Sequence, residues 1–345
     1  MRTSESQRMA PAPDVPDLPD EIDTRRLARR AIFVVVAIVV LVLIAIFAPG
    51  LDEVRRLLTG ASPWWLALAV ALEVVSSLSY AAMFRPAFCR TMSWASTLKI
   101  SLSELAVGSI VPASGAGGVA LGAWVLTRSG MPLAIVARRS VAFLLIKSSV
   151  NFVAVAVLGV LLWLGVGPDL SPALTILGTA VSLGVLVGVP LLARLIAVAG
   201  SRGGTRVRAV AVAIYDGTLE AGRLLRERDP LLIGGAIGYW IFDNLVLLAS
   251  FHAFGLSPPL VIVLMAYLVG QLGGVLPLPG GIGGIDGGLI GTLIVYGIDP
   301  AEAAAAVLAY RVVLFWVPLL MGIPAFLKLR RGLPDVSVAP VTAPR

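Results

Sequence analysis

The chain has 345 residues, of which 58% are hydrophobic and 14% charged, with a mean hydropathy of +0.94. Soluble domains carry about 45 to 50% apolar residues, so a soluble globular protein is excluded and an integral membrane protein follows. A lone cysteine, Cys89, excludes an internal disulfide, and a lone histidine, His252, excludes a histidine-based zinc cluster; the net charge of +7 lies in segments flanking apolar runs, which points to membrane topology and not to nucleic acid.

Residues 1–24 are rich in proline and acids and poor in large apolar side chains, and read as a disordered cytosolic tail. The apolar run 31–48 follows Arg25, Arg26, Arg29 and Arg30 as in a signal peptide, but IAIFAPGLDE offers no small-x-small cleavage pattern, so the run reads as a retained first span. Further runs at 63–84, 137–164, 171–192, 231–252 and 303–327 each approach the roughly 20 residues a bilayer core requires, giving six full spans. Two more apolar stretches, 95–128 and 260–296, are broken in the middle, the first by VPASGAGG at 111–118 and the second by VLPLPGGIGG at 275–284. Glycine and proline weaken helices, and an unpaired amide in hydrocarbon costs several kcal/mol, so such breaks persist only inside protein or beside a wet cavity. Each stretch is expected to be a re-entrant hairpin of two half-helices. Segment 194–230, with apolar residues at helical spacing among arginines, reads either as an interfacial helix on anionic lipid or as a plain connecting helix. Residues 333–345 form a short polar cytosolic tail.

With both termini inside, Arg85, Arg90, Lys99, Arg128, Arg138, the arginines of 194–228, Lys328, Arg330 and Arg331 fall on the cytosolic side, and the outer segments hold mainly Arg55 and Arg56. The membrane domain, 25–332, then divides into repeat one, 31–165, and repeat two, 171–330, each with three spans and one hairpin. An odd number of crossings inverts the second copy, the architecture of many secondary transporters, with the site at the midplane. RRSVAFLL at 138–145 aligns with YRVVLFWV at 310–317, pairing Arg139 with Arg311; Pro112 pairs with Pro277, and Gly130 and Pro132 pair loosely with Gly297 and Pro300. The fold class is therefore an all-α polytopic membrane protein in two inverted-topology repeats.

Arg311 follows Asp299, Pro300 and Glu302, which read as helix cap, first-turn proline and capping acid, and this places it on the order of 14 Å into a span. An arginine there costs about 2.5 to 3.5 kcal/mol unless it meets a partner or water. It is either a substrate-binding cation or half of an ion pair with Asp286 that locks the hairpin to the last span. Arg139 is either its counterpart near the centre or a flanking residue that snorkels to headgroups. The glycines of PLPGGIGGIDGG either expose amides and a helix N-terminus to an anion or merely allow close packing; the Gly281 to Asp286 stretch is no dinucleotide fingerprint. Among Glu73, Glu104, Asp243, Asn244, Gln271 and Asp286, the hairpin acids Asp286 and Glu104 rank first as proton carriers, while Glu73 and Asp243 are expected to pair with an arginine or a neighbouring span. Lys147 could neutralise one of these acids.

PLPGGIGGID followed by GIDPAEAAAAVLAYRVVLFWVP resembles the membrane domain of lysylphosphatidylglycerol synthases and their stand-alone flippase-like relatives, over roughly 30–330. The resemblance implies functional roles for Pro277, Pro279, Gly280, Gly281, Gly283, Asp286, Tyr310 and Arg311; Asp286 stands where the family usually has glutamate. The first half matches less well, since Pro112 and Gly115 are followed by Gly117, Gly118 and VALGAW where relatives often carry a Gly-Glu and an arginine. No soluble segment of domain size follows residue 332, so lipid aminoacylation is not expected. The function implied is a flippase or transporter of a polar-headed phospho- or glycolipid in a bacterial plasma membrane, without cofactor, metal or catalytic residues, partnered by membrane lipids of anionic or zwitterionic headgroup, with a separately encoded lipid-modifying enzyme as a further expected partner. The alternatives are a membrane enzyme, or an enzyme's partner, in glycolipid or polyprenyl-phosphate assembly, and a non-transporting scaffold that docks through 194–230. A membrane-face pair of metal-binding acids, which would favour an enzyme, is not seen in the loops.

Overall fold

The computed structural model describes residues 52–110, 116–165, 172–198, 205–273 and 284–331, with scattered helical positions between 29 and 43. Among these residues the regular elements are all helical, as hydrocarbon demands, because a helix pairs its own backbone amides. After the short α1 (Asp52–Thr59) come α2 (Pro63–Phe88), α3 (Trp94–Ile110), α4 (Ala116–Arg128) and α5 (Leu133–Trp163). Next, α6 (Pro172–Leu183) runs through a π-helical turn, Gly184–Gly188, into α7 (Val189–Val198), and α8 (Thr205–Arg226) leads to α9 (Pro230–Ala253), α10 (Leu260–Gly273), α11 (Gly284–Val295) and α12 (Pro300–Arg331). The order long, short, short, long thus occurs twice, in α2–α5 and in α9–α12.

Local chemistry fixes the starts of these helices. The Asp229 carboxylate accepts from the amides of Leu231 and Leu232 at 2.9 and 3.3 Å, and Pro230 occupies a first-turn position that needs no amide. Asp299 does the same for Ala301 and Glu302 ahead of α12, at 2.8 and 3.4 Å, as the sequence predicts.

By length and composition α2, α5, the α6–α7 rod, α9 and α12 can each cross a membrane, which makes this a multi-pass membrane protein. They correspond to five of the six predicted spans. Of the first predicted span, 31–48, only a few positions are described; these are helical, and Val35 packs against Ala106, Ile110, Phe315 and Leu319. The four short helices lie in the two broken stretches. At 1.5 Å per residue, the 14-residue α10 and 12-residue α11 reach about 21 and 18 Å, short of the roughly 30 Å core. The 17-residue α3 reaches about 25 Å, more than the half-helix the sequence suggests. The breaks themselves, 111–115 and 274–283, lie outside the described residues.

The centre of the molecule is the contact of α2 with α9, the most extensive between any two elements, and α12 is laid along α3. Both crossings depend on a missing Cβ. An added Cβ at Gly235 would lie 2.6 Å from the Met83 amide nitrogen, and one at Gly322 would lie 2.3 Å from the Leu102 carbonyl oxygen. With lipid as apolar as leucine, close contact of this kind, and not burial from water, holds the helices together. The α6–α7 rod turns Ile176, Val187, Leu191, Leu192 and Leu195 outward, as suits a hydrocarbon neighbour. Helix α8 packs on α5 and α7, with Gly217 against Val141, so segment 194–230 contains a docked connecting helix.

Candidate functional site

Helix α11 brings Asp286 to the last long helix, α12. Asp286 is the third residue of α11, in the first turn, where the helix dipole favours an anion. Its Oδ1 accepts from Arg311 Nε at 2.7 Å and also from Arg311 Nη2. Arg311, eleven positions along α12 from Pro300, is 7% exposed. The ion pair that stood as one of the two alternatives for Arg311 is therefore formed, at the start of α11. A guanidinium can pair with a phosphate as well as with a carboxylate, since either offers two acceptor oxygens to its fork.

One residue before Arg311, Tyr310 turns to a different acid. Its hydroxyl donates to Asp243 Oδ1 of α9 at 3.0 Å, and Tyr267 of α10 donates to Asp243 Oδ2. Asp243, ranked low in the sequence, is thus the meeting point of α9, α10 and α12. The signal that could have found it is an aspartate within GYWIFDNLVLL, an apolar run with nothing else to hold a charge.

Helices α2, α3 and α4 carry a similar arrangement. Tyr80 of α2 donates to Glu104 Oε2 of α3 at 2.8 Å, while Glu104 Oε1 has no hydrogen-bond partner among the described residues. The glycines of α4 make room for this acid. A Cβ at Gly118 would stand 2.1 Å from the Glu104 carbonyl oxygen, and one at Gly122 would stand 1.5 Å from Oε1. Between the two carboxylate–tyrosine pairs lies Lys147 of α5, with Nζ 5.8 Å from the Tyr80 ring centre and 5.7 Å from that of Tyr239, inside the reach of the charges of both Glu104 and Asp243. Trp240 Nε1 donates to Asn151 at 2.9 Å, and Asn244 donates to the Trp240 carbonyl at 2.8 Å.

Arg139 belongs to another part of the molecule. Its guanidinium donates to the Phe88 carbonyl at the end of α2 and to Glu220 of α8 at 3.4 Å, and Arg138 and Arg223 reach the same carboxylate at 3.3 and 3.9 Å. Arg90, Arg139, Arg223 and Glu227 line a cavity of about 270 Å³ there. The meeting of Arg139 with Arg311 expected from aligned sequence is replaced by this docking of α8, and helix register explains it. Matching glycine turns with positive φ, Gly130 at 95° and Gly297 at 89°, precede α5 and α12. Counted from those turns, Arg139 lies five residues, or about 7.5 Å, shallower than Arg311. The remaining predicted positions, Pro112, Gly115, Pro277, Pro279, Gly280, Gly281 and Gly283, lie outside the described residues.

On the face of α11 turned away from Asp286 is an apolar cavity of about 560 Å³ between α6, α10 and α11, lined by Gly178, Met265, Leu268, Gly287, Gly291 and Tyr296 among others. Nothing lies within 4 Å of a Cβ built at Gly287 or Gly291. The bare glycine backbone leaves a cleft of this size beside α11.

Comparison with known proteins places the chain in a family. The family model for the lysylphosphatidylglycerol synthase TM region matches residues 32–322. A UPF0104 membrane protein of Methanothermobacter thermautotrophicus is 29% identical over 316 residues, covering 81% of this chain and 87% of the relative. Another match to a UPF0104 membrane protein of the same archaeon is 31% identical over 121 residues, 34% of this chain and 36% of the relative. With residues 32–322 of its 345 inside the match, the chain belongs to the lysylphosphatidylglycerol synthase transmembrane-region family.

Proposed function

We propose that this protein is a carrier and not an enzyme, and that it moves a phosphate-headed lipid across the membrane by exchanging Asp286 for the lipid phosphate on Arg311. The observation that carries this reading is the buried Arg311–Asp286 pair at the base of a broken helix. A purely structural ion pair in hydrocarbon is a poor stabiliser, since desolvation offsets its attraction. A cation that trades one anionic partner for another is not left unpaired at any step. The headgroup would lie at Arg311, and an acyl chain would lie in the glycine-lined, apolar cleft between α6, α10 and α11.

Three further observations support two inverted repeats, and with them alternating access about the site. The helix order recurs; Tyr80–Glu104 and Asp243–Tyr267 are both carboxylate–phenol bonds spanning 24 residues, with the two partners exchanged. Ser76 Oγ donates to the Tyr239 carbonyl 163 residues on, and that same interval separates Tyr80 from Asp243 and Glu104 from Tyr267. Residues related by the repeat therefore touch each other, as they must near a two-fold axis. Short α10 and α11 would enter and leave by the same face, with both termini of the protein in the cytosol. A lipid-modifying enzyme acting on one leaflet is the partner such a carrier would serve.

The test is movement of fluorescent phosphatidylglycerol between leaflets of proteoliposomes. Wild-type protein is expected to exceed empty liposomes, Arg311→Lys to retain part of that rate because the charge stays without the bidentate fork, and Arg311→Ala to lose it. Full activity in a folded Arg311→Ala protein refutes the role.

A further inference from the structure

Three acids share the core of this fold, and two of them have what a buried carboxylate needs. Asp243 accepts from two phenols and lies within reach of the Arg311 and Lys147 charges. Glu104 accepts from Tyr80 and faces Lys147. Glu73 is served less well. It is 2% exposed in the middle of α2, its Oε2 accepts no hydrogen bond from the described residues, and the donor acting on the carboxylate is the Ser77 hydroxyl one turn on.

The helices packed on α2 are α3, α5, α9 and α12. The titratable groups they bring to this region are Glu104 from α3, Lys147 from α5, Tyr239 and Asp243 from α9, and Tyr310 and Arg311 from α12. The charged group that acts on Glu73 is Asp243, which is another acid. With Arg311 matched by Asp286, full ionisation would set Glu73, Glu104 and Asp243 against Lys147 alone, an excess of two negative charges in a region closed to water. An isolated buried carboxylate is among the most costly groups a fold can hold, and it gains a neutralising cation when one can reach it. Among the described residues no three acidic, histidine or cysteine side chains converge as a metal ion would require, so the cation that fits is the smallest.

We propose that Glu73 and Asp243 together hold one exchangeable proton across the α2–α9 contact, and that this proton is the coupling ion of transport. The coupling half rests on the carrier reading; the proton site does not. The step is a simple transfer: a proton from water on one side binds a carboxylate oxygen, and the same proton leaves to water on the other. With the proton bound, one negative charge remains on the pair. With it gone, two like charges oppose each other across the most extensive helix contact among the described residues, where Gly235 lets α9 touch the α2 backbone. That repulsion is a differential force on the two arrangements of the crossing, which is what a coupling ion must supply.

Two measurements on the full chain in liposomes test this. In infrared difference spectra between acid and alkaline pH, wild-type protein should show the carbonyl stretch of a protonated carboxyl, Glu73→Gln should lose that band, and Glu73→Asp should keep one at shifted frequency. An unchanged Glu73→Gln spectrum overturns the proton site. For coupling, a pH difference of one unit moved against one lipid is worth up to about tenfold accumulation of labelled lipid in one leaflet. That accumulation is expected in wild type, to fall to a ratio of one in Glu73→Gln, and to return in part in Glu73→Asp. A sodium gradient that substitutes for the pH gradient, or a Glu73→Gln protein that still accumulates, overturns the coupling. If wild-type protein moves no lipid at all, the carrier reading and its coupling fail, while the infrared result still decides the proton site.

Discussion

The Arg311–Asp286 pair can be made to tell a lock from a ligand site. The two side chains are 8% and 15% exposed, so solvent screens their attraction little. Removing one member of a buried pair typically costs about 3 to 5 kcal/mol, because the other charge loses its counterion. Asp286 keeps the α11 dipole when Arg311 is gone, which is worth about 0.3 to 1 kcal/mol, so Arg311→Met is expected near the lower end at about 3 kcal/mol. Asp286→Asn leaves Arg311 still within the field of Asp243 and is expected to cost a similar amount. In the double variant no charge is stranded. It should cost no more than either single change, a coupling of about 3 kcal/mol. Reversible unfolding in mixed micelles measures the stabilities, and labelled-lipid movement in proteoliposomes measures function. The double variant should regain stability but not transport, since the phosphate ligand is missing. A double variant that moves lipid at the wild-type rate would mean the pair is only a lock, and the proposed function would fall with it.

Three further outcomes follow from the same geometry. Gly122→Ala places a methyl where Glu104 Oε1 stands and should destabilise by about 1 to 3 kcal/mol, with partial relief in Gly122→Ala/Glu104→Ala; equal thermal unfolding of Gly122→Ala and wild type would contradict the packing. Gly291→Leu has open space around its Cβ, so the protein should fold normally while the filled cleft slows lipid movement several-fold; unaltered transport would remove the cleft from the pathway. Glu220→Ala deprives Arg138, Arg139 and Arg223 of their shared carboxylate and should speed amide exchange in α8 without changing that of α11 and α12; unchanged exchange in α8 would show the cluster to be incidental.

Much of this protein is written in one dimension. Spans, helix caps at Asp299 and the two breaks follow from sequence because hydrocarbon imposes a purely local rule: apolar side chains in runs of span length, amides paired within each run, charges at the ends. The ion pair of Asp286 with Arg311 was also legible, because each is an isolated charge in an apolar run and needs an opposite. Which acid meets which donor was not. Tyr310 turns to Asp243 and not to a ligand shared with Arg311, since successive helix residues point about 100° apart and only the packing of α12 decides what lies on each side. Arg139 and Arg311 share a local motif, but the glycine turns set their depths, and depth in a helix is counted from its start. Glu73 carries no local sign that the charge acting on it is a second acid; the α2–α9 contact brings Asp243 into its field. Sequence by itself determined what must lie in the membrane and where helices break, and the tertiary structure alone decided which buried charges meet, because opposition of charges across a helix crossing depends on rotation and depth that no local pattern encodes.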